Sequence, residues 1–399
     1  MLSRKLLVRE AECPQASFPQ RAPERALTGL RVLHVGKFYP PHPGGMETHL
    51  QALCEELKRS VSVEVVVANA ERDTIEEVID GIKVTRLGMS FNFASAPICP
   101  QLTRSIKEAK ADLVHLHWPN PTAVLAYLAS GHRGPLVFTY HSDIIRQKVL
   151  RKAFWPVLRH ALNRADAIIA TSPQYLDASP VLQKFKARCR VIPFGIPLEQ
   201  FKTPNAIEVT KIRRRYGSRI VLGVGRLVYY KGFEFLIRAM KTVEGHLLIV
   251  GNGPLYDALK REIRACGVSD RVSILTDVRD VCPYYHAADV FALASVARSE
   301  AFGIVQLEAM ACGKPVINTR LGSGVNFVSL DGLTGITVPR ANAEAMSEAI
   351  NTLLDDPILR TRFGRAAHRR IEQEFDLEVM TNRTLHLYEE VVSNTYRRS

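Results

Sequence analysis

The 399-residue chain is 46% hydrophobic and 23% charged, which excludes a disordered polymer and exceeds what one simple core accommodates. No window approaches the roughly 18 consecutive apolar residues that a membrane-spanning helix requires. Fifty-three Lys and Arg against 40 Asp and Glu leave a net charge of +13, and the surplus is local: residues 1–100 hold 12 of each sign, whereas residues 101–215 hold 19 basic and 7 acidic side chains. That stretch points to an anionic partner. Nucleic acid is excluded from that role, because no known binding module or aromatic-interleaved platform accompanies the charge.

Residues 1–28 read as a loose polar extension, since Leu6-Leu7-Val8 is too short for a secretory core. From residue 31 short apolar runs alternate with helical spacing. RVLHVG (31–36), VSVEVVVAN (61–69), ADLVHLHW (111–118), PLVFTYHS (135–142), ADAIIATS (165–172) and CRVIPFG (189–195) predict strands, and Leu50, Leu53 and Leu57 predict a helix over 46–60. After the Pro-containing passage 193–204 the pattern restarts with RIVLGVGRL (219–227), HLLIVGNG (246–253), RVSILTD (271–277), DVFALAS (289–295) and KPVINTR (314–320). Such runs imply α/β architecture, two doubly wound units with parallel sheets covered on both faces. The expected division is an extension at 1–28, a first domain at 29–200, a second at 201–375, and a closing amphipathic helix in 376–399 packing back on the first. Seven cysteines, odd in number and without C-x-x-C spacing, argue against zinc ribbons and disulfide scaffolds and fit a reducing cytoplasm.

The strongest motif is Ser299-Glu300-Ala301-Phe302-Gly303-Ile304-Val305-Gln306-Leu307-Glu308, continuing to Gly313. It follows a predicted strand and opens a helix. Glu300 falls in the loop at the carboxyl edge of the sheet and Glu308 inside the helix. Gly303 lets a ligand approach the free N–H groups of the first turn, which favour a phosphate. A bare Glu-x7-Glu is equally an exposed loop acid and a solvated helix acid; the surrounding SEAFGIVQLEAMACGKPV decides between them.

That segment closely resembles the donor-site signature of retaining glycosyltransferase family 4, whose GT-B fold sets two Rossmann-like domains across a cleft. The resemblance extends in order over about residues 31–390. It implies that Glu300 holds sugar hydroxyls, that Glu308 holds the nucleotide ribose, and that the backbone around Phe302, Gly303 and Ile304 contacts sugar and diphosphate. Gly44-Gly45, after the first strand, is by itself a tight turn; its position resembles the family's glycine loop against the donor. Arg226 and Lys231, near the first strand of the second domain, suit a diphosphate whose charge grows as the glycosidic bond breaks, and the resemblance implies that role. A lone His141 at a strand end is commonly structural, but the family has a histidine there that reaches the donor sugar. His115 and His117 alternate along one strand, without an identified metal partner, and read as core or cleft wall.

Arg146, Lys148, Arg151, Lys152, Arg159 and Arg164 occur with no acid between Ile144 and Ala165, opposite an apolar stripe from Val149 to Leu162. This is either a helix with a solvated cationic face or, with Trp155, a surface for anionic lipid or a polyprenyl diphosphate acceptor. The segment Leu321–Phe327 replaces the family's more frequent Gly-Gly-x-Pro-Glu. With HLHWPNP and TYHSDI it resembles bacterial O-antigen and exopolysaccharide mannosyl- and rhamnosyltransferases. The implied protein is a cytoplasmic hexosyltransferase, peripheral on the inner face of the plasma membrane. GDP-mannose is the favoured donor and a lipid-linked saccharide the acceptor, and neither cofactor nor metal is expected. The alternatives are a UDP-sugar donor, an epimerase or phosphorylase on the same fold, and a non-catalytic nucleotide-sugar-binding partner in polysaccharide assembly.

Overall fold

The computed structural model describes residues 27, 29–42, 44–94, 96–144 and 148–396. The extension expected at 1–28 therefore lies outside the described residues, apart from Leu27, which is buried in the first domain's core.

Runs such as Leu113–Trp118, buried at every position, hydrogen-bond on both edges and need cover on both faces, and parallel sheets meet that need. The first sheet contains β1 (Arg31–Val35), β2 (Ser62–Ala68), β3 (Ile75–Ile79), β4 (Ile82–Leu87), β7 (Leu113–Trp118), β8 (Leu136–Tyr140), β9 (Ala167–Ala170) and β10 (Cys189–Val191). Their order is β10-β9-β8-β7-β1-β2-β4-β3, parallel throughout except for the antiparallel β3–β4 pair. A separate hairpin pairs β5 (Phe91–Phe93) with β6 (Ala96–Ile98). The second sheet is all parallel: β11 (Ile220–Val224), β12 (His246–Val250), β13 (Val272–Leu275), β14 (Val290–Leu293), β15 (Val316–Thr319) and β16 (Gly335–Val338), ordered β13-β12-β11-β14-β15-β16. Every strand expected from the sequence is present; β3 to β6 and β16 are additions.

Alternation along each strand divides its side chains between two apolar layers. On the first sheet Leu33, Val114 and Leu116 face one layer, while Val32, Leu113 and Val137 face the other. That second layer is closed by the helix Gly45–Leu57 and by the helix Leu377–Tyr396, whose Met380, Leu385, Tyr388 and Val391 pack with Leu50 and Leu53. The chain crosses between domains at Phe194–Leu198 and returns at Phe375–Leu377. The two crossings are tied together, Ile196 N–H donating to the Phe375 carbonyl at 2.9 Å and Leu377 N–H to the Ile196 carbonyl at 3.1 Å. No described helix is long and apolar enough to cross a membrane.

The helix Lys148–Arg164 carries the basic run, with Pro156 inside it. Arg146 and the side chains of Lys148 and Arg151 lie outside what is described. Lys152 and Arg159 are exposed. Two expectations need correction. The apolar stripe is not one buried face: Leu158, Ala161 and Leu162 are buried, but Val149 is 81% exposed and Leu150 42%. Trp155, expected to help a lipid surface, is half-buried against the core with the Lys184 ammonium 4.7 Å from its ring centroid. A cation already covering the indole leaves little of it to enter a bilayer.

Candidate active site

The carboxyl ends of β11 and β14 bring Arg226, Lys231 and Glu300 to one edge of the second sheet, where open α/β sheets bind ligands. Gly225 (φ +146°) follows β11; a Cβ there would come within 3.3 Å of Lys231 Nζ, so glycine lets the lysine lie across the strand end. Lys231 Nζ meets Glu300 Oε2 at 2.7 Å, both side chains being about nine-tenths buried, and Ser295 Oγ donates to the same oxygen at 3.0 Å. Burial works to lower the Lys231 pKa, but the Glu300 charge and hydrogen bond outweigh it and the net displacement is upward. The sequence reading assigned Glu300 to the sugar and Lys231 to the diphosphate as separate groups; the fold makes them one ion pair. Glu300 Oε1 makes no hydrogen bond among the described residues and is left to accept from a ligand. Arg226 is exposed, with no side-chain partner among the described residues, and is the site's uncommitted cation.

Gly303 (φ +75°) is the N-cap of the helix Ile304–Ala311, with no side chain capping the first turn. Its left-handed backbone excludes other residues at low cost. The Phe302 ring is buried, 4.9 Å from Phe194 and 6.0 Å from Phe375 between centroids, so only its backbone is available to a ligand. Glu308 is half-buried and accepts from Tyr285 OH at 2.5 Å. Burial raises its pKa, opposed by that hydrogen bond and by the Lys231 charge.

The Glu300 loop is braced by the segment that departs from the common family pattern. Ser323 Oγ donates to the Glu300 carbonyl at 2.9 Å and Gly324 N–H to the Ala301 carbonyl at 2.7 Å. Beneath them Asn318 Nδ2 donates to Gln306 Oε1 at 3.0 Å, and Asn326 accepts from Leu321 N–H at 3.0 Å while donating to Asn318 Oδ1 at 3.2 Å. Sequence reading missed this amide network and also Tyr285 and Ser295. Polar Asn318 and Thr319 in a strand buried at every position were the available signal.

Across the cleft, a Cβ on Gly45 would be 3.5 Å from Ile304 Cδ1, which places the Gly44-Gly45 turn against the start of the donor helix. Arg298 of the second domain donates to the Ala178 carbonyl of the first at 3.1 Å. Between the domains is a largely apolar cavity of about 630 Å³, lined by Phe93, Leu125, Leu150, Phe154 and Val157 from the first domain and Tyr229, Tyr230 and Ser299 from the second, with Lys37 and Asp143 among its few charges. Leu150, Ala153, Phe154 and Val157 of the basic helix's apolar stripe therefore face this cavity, whereas Val149 does not line it. Burial lowers the Lys37 pKa despite the opposing charge of Glu47. A cavity of about 660 Å³ opens at the opposite, C-terminal end of the helix Ile304–Ala311 and contains none of the groups above.

His141 is buried and makes no hydrogen bond to Arg226, Lys231 or Glu300; its ring is 5.4 Å from that of Phe194, which packs in turn against Phe302. It belongs instead to a group of five buried histidines with His34, His49, His115 and His117. Desolvation pushes His34 and His49 down to about 3 and the other three well below the usual imidazole value. His34 and His49 were not singled out from the sequence, although His34 alternates with Val32 as His115 does with Leu113. Two trios of these rings, and Cys282 with His286 and Cys312, bring potential metal-ligand atoms within 4.8 Å of each other. Four of those ring nitrogens are paired with one another and three more with Tyr388 or Thr139, and His286 Nε2 is paired with the Phe201 carbonyl at 2.8 Å.

Comparison with known proteins agrees with this geometry. The Glycosyltransferase Family 4 model matches residues 43–200 and the Glycosyl transferases group 1 model residues 207–370. D-rhamnosyltransferase WbpZ of Pseudomonas aeruginosa is 33% identical, over 87% of this chain and 92% of that protein. The chain belongs to glycosyltransferase family 4. O-antigen chain mannosyltransferase C of Escherichia coli is 31% identical to this glycosyltransferase, covering 90% of it and 98% of the relative. Among solved structures, sucrose-phosphate synthase from Thermosynechococcus elongatus superposes with a TM-score of 0.77 at 25% identity, covering 92% of this chain and all of that one. Anabaena HepE in complex with UDP superposes at 0.73 and 22% identity, over 90% of this chain and all of HepE, sharing the fold. The two facing sheets of this family 4 chain are thus a GT-B fold.

Proposed function

We propose that this glycosyltransferase transfers a hexose with retention of anomeric configuration, from GDP-mannose in preference to UDP-sugars, to a lipid-linked saccharide. The observation that carries the reading is the juxtaposition at one sheet edge of an uncommitted Arg226, a buried Lys231–Glu300 pair with a free carboxylate oxygen, and the uncapped helix start at Gly303. Arg226 and the helix start suit the diphosphate, Glu300 Oε1 the sugar hydroxyls, and Glu308 the ribose. Among the described residues the two carboxylates at this cleft are each held through one oxygen: Glu300 Oε2 by Lys231 and Ser295, its Oε1 being left for the sugar hydroxyls, and Asp143 Oδ1 by Tyr140 OH at 2.8 Å and Ser179 Oγ at 3.1 Å. This arrangement suits front-face substitution, in which the departing diphosphate takes the acceptor proton and Arg226 and Lys231 offset its growing charge. The apolar cavity supports a lipid-linked acceptor, its walls suiting hydrocarbon and Lys37 a phosphate. The name of the Escherichia coli relative, an O-antigen chain mannosyltransferase, favours mannose as the transferred hexose.

Thermal-shift screening against GDP-, UDP- and ADP-sugars, then transfer to a lipid-linked saccharide with product stereochemistry followed, tests the reading. A shift with GDP-mannose and an α-linked product are expected. An inverted product, or transfer from UDP-sugars alone, would sink it.

A further inference from the structure

Four of the five buried histidines form a single file. In the face of the first sheet covered by the two helices, His34 is register partner of His115, and His117 of Thr139. Thr139 Oγ1 and His115 Nε2 are 2.6 Å apart, and His115 Nδ1 and Tyr388 OH also 2.6 Å. Tyr388 OH is 3.3 Å from His34 Nε2, His34 Nδ1 is 3.1 Å from His117 Nε2, and His117 Nδ1 is 3.1 Å from His141 Nε2. At the last ring His141 Nδ1 is buried without a partner. All four imidazoles are neutral, because burial and the neighbouring rings keep them from taking a second proton.

The proton count follows from this order. Six groups each bring one N–H or O–H, and five contacts join them, so one proton is left over. Two donors cannot face each other, so donation runs one way along the file unless the Tyr388 oxygen accepts from both His115 and His34, which leaves its own buried O–H as the spare proton with no acceptor among the described residues. If it runs toward His141, Thr139 donates first, every histidine is an Nδ1–H tautomer, and the spare proton is on His141 Nδ1. If it runs the other way, every histidine is an Nε2–H tautomer and the spare proton is on Thr139, which is 2% exposed and has no other acceptor among the described residues. The His141 end adjoins the cleft, since the next residues, Ser142 and Asp143, line the cavity.

We propose that Thr139, His115, Tyr388, His34 and His117 are positioning residues that act as one unit, polarised toward the cleft when substrate binds, so that neutral His141 presents its Nδ1–H to a substrate oxygen. The inner end has nothing to accept the spare proton, whereas a bound sugar or phosphate does, so binding selects the direction. Nδ1 is closed to solvent, so the oxygen reaches it with a cleft movement that shifts Phe194. The middle link in the file, Tyr388, comes from the helix that returns out of the second domain, which couples the His141 tautomer to the docking of that helix.

The proposal takes the cleft to be the transfer site, but its main test does not depend on turnover. Ring-nitrogen NMR of the 15N-histidine-labelled full chain, with GDP-mannose and with UDP-glucose as probes, is expected to show His34, His115, His117 and His141 all as Nδ1–H tautomers with the nucleotide sugar that shifts the melting temperature. Mixed tautomers among the four, or an Nε2–H His141 with that ligand bound, would overturn it, whichever sugar is transferred. Tyr388→Phe should free His115 from the other three and lower kcat severalfold with the donor KM within about twofold. An unchanged kcat and unchanged His115 tautomer in that variant would equally defeat the proposal. The wild-type spectra decide the matter even if the variant does not fold.

Discussion

Lys231 and Arg226 read alike in the sequence, as cations near a strand end, and the fold separates them. Lys231 is committed to Glu300 in a buried pair, so removing either partner strands a charge, at a cost of about 3–5 kcal/mol. Lys231→Ala should therefore lose both turnover and stability. Arg226→Ala, at an exposed and unpaired position, should change stability by no more than about 0.5 kcal/mol while turnover falls on the order of 100-fold. Thermal melts beside transfer assays check the contrast; equal losses of stability in the two variants would contradict the assignment. The residues legible in advance, Glu300, Glu308 and Arg226, share a motif or follow a glycine-marked strand. Tyr285, Ser295 and the histidine file were not legible, because their meaning lies in contacts between segments up to 354 residues apart, as with His34 and Tyr388.

At the scale of elements, strands buried on both faces were plain in the sequence because nothing but continuous apolar runs fills them. The pair β3–β4 was not: Ile75–Ile79 alternates at the sheet edge with two adjacent acids, and β5 and β6 are three residues each, too short for periodicity. The basic helix was half legible. Its spacing gave an apolar stripe, but only the fold shows that Leu150, Phe154 and Val157 face a cavity. Leu150→Arg, which puts a charge on that wall, should raise the acceptor KM at least severalfold and leave the donor-induced melting shift unchanged. The segment Leu321–Phe327 makes a second element-scale prediction. Asn326→Leu removes the acceptor for Leu321 N–H and the donor to Asn318 and the Thr319 carbonyl, leaving buried polar groups unpaired. A loss of about 1–3 kcal/mol is expected, with weaker nucleotide-sugar binding because Ser323 and Gly324 brace the Glu300 loop. Denaturant unfolding and titration calorimetry measure the two effects.

For the whole molecule, the buried histidines set the response to acid. His34 and His49 are held down to about 3 by burial, against about 6.5 in an unfolded chain. Above pH 6.5 both states are neutral at these groups, which then contribute no pH dependence. Between 6.5 and 3 the unfolded chain binds a proton at each that the native chain refuses, so stability rises with pH across that window and is lost as pH falls. Each group fully inside the window contributes about 1.4 kcal/mol per pH unit. Unfolding free energies measured at pH 7.5, 6.5, 5.5 and 4.5 should therefore be nearly flat at first and then drop with the uptake of at least two protons. Uptake of less than one would mean that these rings are not buried and neutral. Acid should also loosen the chain in a set order. Tyr388 OH bridges His34 and His115, and it belongs to the helix Leu377–Tyr396 that joins the two domains through the Ile196–Phe375 crossing. Opening of this helix exposes His34 and His115 to water, where they take the protons that the closed form refuses, so acid favours that local opening while the sheet keeps its ladder. Hydrogen exchange at pH 5 should accelerate in 377–396 before it does in β1, β7 or β8; faster exchange in the strands first would place the acid-sensitive contact elsewhere.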